Sequence, residues 1–185
     1  MSKIKTPEKV IPFAGVLLSD ISLLDEGKKS LESIFGPIDL QTRVIPFTHT
    51  SYYNSEMGEH IVRLWVRFSG MFDPEHLYKW KIESNHIEET WAHMEADISL
   101  RRINIDPGYV TEAKIVLAST KNFSHRIYLR SGIYAEVTLN YRRDRGWQFF
   151  DWTYPDYKEK TALDFFTLAR NKLLSAKRSM SSQYP

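Results

Sequence analysis

The chemistry open to this chain rests on a few side chains, and Arg126 and Glu136 come first. They flank Ile127 to Ala135, whose alternation around Arg130-Ser131-Gly132 reads as a β-hairpin. With Gly132 in the left-handed position of a three-residue loop, Leu129 faces Ile133 and Ile127 faces Ala135, giving one apolar face. On the other face Tyr128 opposes Tyr134 and Arg126 opposes Glu136. A two-residue turn at Ser131-Gly132 would set Ile127 against Glu136 and mix the faces, a slip that sheets avoid. The commoner meaning of such a pair is a half-exposed ion pair worth under about 1 kcal/mol. The functional meaning is an arginine held by a carboxylate to grip an anion. His125 falls by alternation on the apolar face. It reads as a satisfied core histidine or as a proton shuttle, since burial suits neutral imidazole.

Other arrangements are thinner. His86, Glu89 and His93 share one face of a predicted helix and could clamp a metal, although that face is the solvated one and ligands normally need supporting partners. His49-Thr50-Ser51 has the His-x-Ser pattern of phosphoesterases that pair two such motifs, but His125-Arg126-Ile127 lacks the second hydroxyl. Trp147, Phe149, Phe150, Trp152, Tyr154 and Tyr157, beside Arg142, Arg143 and Arg145, could stack single-stranded bases or could be core on one side and edge on the other. The basic residues Arg170, Lys172, Lys177 and Arg178 fit a solvated helix end. There is no Gly-x-x-x-x-Gly-Lys-Ser/Thr, no Gly-x-Gly-x-x-Gly, no Gly-x-Ser-x-Gly and no His-Glu-x-x-His. Tight magnesium-dependent GTP binding is therefore not expected.

The elements that must carry these groups follow from a chain of 185 residues with 42% hydrophobic and 26% charged residues. Such a chain buries about 70% of its surface in one core without metal or disulfide. Zero cysteines exclude a disulfide framework, a thiol nucleophile and an iron–sulfur cluster. A net charge of +2 neither demands nor forbids nucleic acid. The run Val10 to Leu18 is a buried strand rather than a leader, and nothing approaches the roughly 20 apolar residues of a membrane span. The expectation is a cytoplasmic protein with no membrane partner.

Val10–Leu18 reads as a strand, 24–35 as a helix opened by Ser22 and Asp25 and stopped by Gly36-Pro37, and Ile38–Phe47 and His60–Phe68 as strands. Asp73-Pro74 opens a long helix with the stripe Leu77, Trp80, Ser84, Ile87, Trp91, Met94. Ile98–Ile105 is a strand, Asp106-Pro107-Gly108 a type II turn, and 112–119 a short helix, though its apolar run also suits a strand. The hairpin follows, then a strand over Trp147–Trp152 and a helix over Thr161–Leu174. The fold class expected is α+β: a ferredoxin-like β-α-β-β-α-β core over residues 1–106, with a hairpin and closing helix over 107–185, in a single domain.

Several strings together resemble a known prokaryotic family. They are Ser51-Tyr52-Tyr53-Asn54-Ser55-Glu56-Met57-Gly58; Lys81 with Ser84-Asn85 and Ile87-Glu88; Arg101 to Tyr109; Val116 to Lys121; Ser124 to Tyr128; Ile133 to Val137; and Trp152 to Tyr157. The family is the uncharacterised domain of unknown function 4416, whose members are often labelled "GTP-binding protein". The resemblance covers nearly the whole chain and is most specific from about 101 to 157. Ser84 stands where threonine is expected. The family brings no established reaction, and the cofactor, if there is one, is not given by the resemblance.

What the resemblance adds is a set of polar positions. Lys81, Asn85 and Glu88 share a helical face flanking the buried stripe, where side chains can line a pocket between helix and sheet. They could equally cap a loop and pair locally. Lys121 and Arg126 are the expected anion grips, with Glu136 and Glu88 as orienting or acid/base carboxylates and His125 as a proton shuttle. Tyr52, Tyr53 and Glu56 could close the pocket from a long loop, and Asp106 would join it from the sheet. The expected partner is an anionic small molecule, phosphorylated or nucleotide-like. An RNA-binding or protein-interaction module is the other expectation. These residues are expected to converge on one concavity.

Overall fold

Strand β1 (Ile11–Leu18) is buried at every position, because both faces of the sheet are covered. Ala14, Val16 and Leu18 join one hydrophobic cluster, while Ile11 and Phe13 join another on the opposite face. A strand in that position reads as a continuous apolar run rather than an alternating one. The computed structural model describes residues 3–50, 52–95 and 98–181.

Helix α1 (Leu24–Phe35) follows, with Asp20 capping the short 3-10 turn ahead of it by accepting from Ser22 N, in place of the Ser22–Asp25 box expected. Gly36 ends the helix at φ 81°. The expected second strand is two pieces, β2 (Ile38–Gln41) and β3 (Ile45–Pro46), both paired to β4 (Val62–Phe68). The short α2 (Asn54–Met57) lies in the loop between them. Asp73 caps as expected, accepting from Glu75 N with Pro74 in the first turn, and leads into α3 (Leu77–Trp91).

That helix stops at Trp91, where Ala92 turns extended. His93 and the exposed Met94 lie in β5 (His93–Glu95), which pairs with β6 (Ile98–Leu100). The expected His86, Glu89, His93 face is thereby broken. His86 and Glu89 meet only as an exposed pair at 3.6 Å, and the described residues hold no metal-like cluster.

Beyond β6 the chain breaks at Arg101-Arg102 and enters β7 (Ile103–Val110). The expected turn at Asp106-Pro107-Gly108 is the middle of this strand, pairing with Gly15, Ala14 and Phe13 of β1. Gly108 is needed for space and not for a left-handed φ. A Cβ there would lie 2.5 Å from Val116 O and 2.7 Å from the Phe13 ring. The expected short helix at 112–119 is strand β8 (Lys114–Ser119), whose Ile115 to Ala118 are buried between β7 and β10.

β9 (Ile127–Arg130) and β10 (Ile133–Arg142) form the hairpin on a two-residue turn, with Ser131 at φ 53° and Gly132 at φ 78°. Arg130 pairs with Ile133, and a bulge before Tyr128↔Tyr134 restores the register that a three-residue loop would have given. The β9 side of the expected apolar face is open to water: Ile127 is 74% exposed. β11 (Gly146–Phe149) and α4 (Lys160–Ser181) complete the chain.

The main sheet runs β11-β10-β8-β7-β1-β4-β2, with β3 on β4 and β9 on β10, and every pairing is antiparallel. α1 and α3 cover one face through Leu31, Phe35, Leu77 and Trp80. α4 covers the other through Phe165, Phe166, Ala169 and Leu173, packed on Phe13, Trp65 and Leu139. The architecture is mixed helix and strand, and among the described residues no helix is long and apolar enough to cross a membrane.

Candidate ligand-binding site

The site begins where two neighbouring strands part. β7 and β8 pair only at Gly108↔Leu117, Tyr109↔Val116 and Val110↔Ile115. The next residue of β7 that points to β8 is Pro107, which has no N–H to donate. β8 continues with β10 alone, and β7 is left with an open edge at Ile105. Helix α3 fills it with side chains: Lys81 Nζ donates to Ile105 O at 2.7 Å, and Ile105 N donates to Glu88 Oε1 at 2.8 Å. Two residues seven apart on one helix thus stand in for a strand's backbone. They also pair with each other at 3.4 Å.

The gap opens into a cavity of about 570 Å³. Lys81, Asn85 and Glu88 line it from α3, Asp106 from β7, Glu136 from β10, Tyr52, Tyr53 and Glu56 from the loop and α2, and Lys121 and Arg126 from the segment between β8 and β9. Every residue expected to bind ligand lines this space, as do two of the three expected catalytic residues. His125 does not. It stands behind Glu136, with Nε2 3.1 Å from Oε2, its ring stacked between Phe123 and Trp152 at 6.0 and 4.9 Å.

Arg126 and Glu136 lie on the sheet face opposite Ala135, as the register requires. They are not the half-exposed pair that spacing alone favours: their side chains are 4% and 1% exposed. Arg126 Nε donates to Glu136 Oε2 at 2.7 Å, Nη1 to Ser119 Oγ at 2.7 Å and to Lys121 O at 3.0 Å, and Nη2 to Tyr154 OH at 2.8 Å. Four of its five N–H groups are therefore spent on the protein. Glu136 is as fully used, since Oε1 also accepts from Thr138 Oγ1 at 3.2 Å. This pair builds the wall more than it offers a free hand.

The other charges divide into paired and unpaired. Arg101 bridges Glu56 at 3.1 Å and Glu88 at 3.6 Å and donates to Asn104 Oδ1 at 2.7 Å. Asn104 passes a bond on to Asp106 Oδ2 at 3.1 Å. Among the described cations lining the cavity, Lys121 alone has no carboxylate within ion-pair distance; its ammonium donates to Tyr52 OH at 2.8 Å and lies 4.6 Å from that ring's centroid. Burial pushes the Glu88 carboxyl above its usual range, against the pull of Lys81 and the Ile105 N–H. Burial also raises the Tyr53 and Tyr154 phenols, with nearby Asp106 and Glu136 adding to it, so both are neutral donors at ordinary pH.

A second lobe of about 410 Å³ adjoins the first and shares with it Tyr52, Tyr53, Asp106, Lys121, Arg126 and Tyr154. Its floor is Arg63, only 3% exposed, which pairs with Asp156 at 2.8 Å and Asp106 at 3.4 Å. His49 lines this lobe and is held by Glu159 at 2.9 Å.

Sequence reasoning missed Arg101, Asn104, Ser119 and Tyr154 in the first lobe and Arg63, Phe123 and Asp156 in the second. Asn104 and Asp106 were within reach, because polar residues at i and i+2 in an otherwise apolar strand share one face and need a reason to be there. Arg63 and Arg67 break the apolar run of β4 in the same way, and both are buried. Tyr154 carried no such signal. Comparison with curated proteins and with solved structures finds no match to this chain. The model of one family, described as a domain of unknown function (DUF4416), matches residues 8–173, and the chain belongs to that family.

Proposed function

We propose that this chain is a small-molecule binder or enzyme whose ligand is anionic, phosphorylated or nucleotide-like, and lies in the cavity between β7 and β8. The observation that carries this is Lys121, a cation turned to a concavity with no carboxylate to neutralise it. Side chains from six separate segments meet there, and gathering so many charges has little purely structural return. Lys121 is the primary anion grip, and the fifth N–H of Arg126 supplements it. Glu88, with its raised proton affinity, is the candidate acid or base. Glu136 is a positioning residue that holds Arg126 and His125. The order β7-β1-β4-β2 with α1 and α3 on one face supports reading the first part of the chain as a ferredoxin-like core, and a cysteine-free chain suits the cytoplasm.

A different class, nucleic-acid or protein binding, is favoured by the exposed Phe149 and Trp152. Native mass spectrometry of freshly purified protein separates the two. The expected result is a retained mass of metabolite size that is absent from Lys121→Ala. A protein that carries no such mass, shows no thermal shift with phosphorylated compounds and binds RNA oligonucleotides overturns the first reading in favour of the second.

A further inference from the structure

We infer that the second lobe receives a planar ring carried by the same ligand, so that the molecule bound is an aryl or heteroaryl group joined to an anion. This rests on the reading of the first lobe as an anion site and adds the other half of the ligand. The two lobes are one groove, joined at Lys121, Arg126, Asp106 and the three tyrosines.

Their chemistry differs. Lys121, at the junction of the first lobe with the second, leaves a charge unanswered. In the second, beyond that junction, the floor is Arg63 between Asp106 and Asp156, one cation against two carboxylates, and His49 is engaged by Glu159. A floor with that excess of negative charge disfavours an anion and does not repel a neutral ring. The walls above it are Leu17, Phe47, Tyr53, Phe123, Tyr154 and Pro155, all apolar or aromatic in body, with the Tyr53 and Tyr154 phenols held neutral by burial.

Phe123 is the most exposed of these aromatic walls. It is 55% exposed, and it already stands in line with His125 and Trp152, rings 9° and 7° from parallel. Phe150 extends the line, 4.7 Å from Trp152 and 1° from parallel. Placing a large aromatic half in water has a cost that a core role does not repay here, and a rigid stack presents one more flat surface at its end. Arg126 lies 5.1 Å from the Phe123 centroid, so the ring also borders the anion grip. A flat group against Phe123 would therefore carry its anion directly toward Lys121.

The test uses the full chain and three compounds, inorganic phosphate, 1-naphthyl phosphate and 1-naphthol, titrated calorimetrically into wild type, Lys121→Ala, Phe123→Ala and Tyr154→Phe. Thermal melts establish that each variant is folded. Naphthyl phosphate is expected to bind on the order of tenfold to a hundredfold tighter than inorganic phosphate, as burial of one ring predicts. Phe123→Ala removes that advantage and leaves inorganic phosphate unchanged, while Lys121→Ala weakens both phosphates and spares 1-naphthol. Tyr154→Phe keeps the ring's advantage, because it retains the aromatic wall. Equal affinity for the two phosphates, or an advantage that survives Phe123→Ala, overturns the ring subsite and leaves the anion site standing. Binding of 1-naphthol through Phe123 with no binding of either phosphate overturns the anion site instead. No binding of any of the three overturns both.

Discussion

Arg126 and Glu136 meet at 2.7 Å inside the cavity wall with both side chains almost wholly out of water. Removing one member of such a pair strands the other. Glu136→Ala is expected to destabilise the chain by about 3–5 kcal/mol, against under about 1 kcal/mol for an exposed pair. Urea unfolding followed by tryptophan fluorescence measures it, and a loss below 1 kcal/mol would return the pair to the ordinary surface class.

The proton on Glu88 gives a pH signature. Burial raises the folded pKa above the ordinary 4.5, so over the window from 4.5 up to the raised value the native state binds more protons than the unfolded chain. Stability contributed by this group is present at the acid end and is lost as pH rises through the folded pKa. Relative to Glu88→Gln, wild type should be most favoured near pH 4 and lose that advantage toward neutrality. Urea midpoints of both proteins across that range decide it, and an advantage that grows with pH would contradict the burial argument.

Tyr52, 58% exposed, ties the loop before α2 to Lys121 through a 2.8 Å hydrogen bond. Tyr52→Phe keeps the ring beside the ammonium and removes the bond, at a cost of about 0.5–1.5 kcal/mol. Hydrogen exchange should quicken over residues 52–58 and stay unchanged in β1 and β4. Uniform quickening across the sheet would mean the tyrosine supports the fold and not the loop.

Gly108 is the position at which side-chain volume is forbidden. Gly108→Ala drives a methyl into Val116 O and the Phe13 ring, and neither strand can move without breaking its pairing. The expected loss is about 1–3 kcal/mol or more, read by thermal unfolding. A neutral substitution would show that β7 and β8 yield at this point.

Much of this was legible in the sequence, for identifiable reasons. The run Val10 to Leu18 announced a strand buried on both faces, Asp73-Pro74 announced a helix start, and the faces of the hairpin put Arg126 against Glu136. Burial of that pair was not legible, because Tyr154 reaches it from 28 residues further along the chain. Residues 112–119 read as a helix because a strand covered on both faces shows no alternation, and length alone could have arbitrated. Asp106-Pro107-Gly108 has the composition of a turn. It is a strand because Pro107 pairs with β1 where β7 has no further partner on the β8 side, and Gly108 sits where Phe13 needs room. His93 left its helical face because α3 ends two residues before it.

The two faces of the sheet are also closed at different times in the life of the molecule. Chains emerge from the ribosome N-terminus first. α1 and α3 are made early and can shelter Leu31, Phe35, Leu77 and Trp80 while β8 to β11 are still being translated. Phe13, Trp65, Leu117 and Leu139 must wait for Phe165, Phe166, Ala169 and Leu173 of α4, some twenty residues beyond β11. For that interval the nascent protein carries a nearly complete sheet with one bare aromatic side, the surface a holding chaperone would grasp and release only when the last helix arrives.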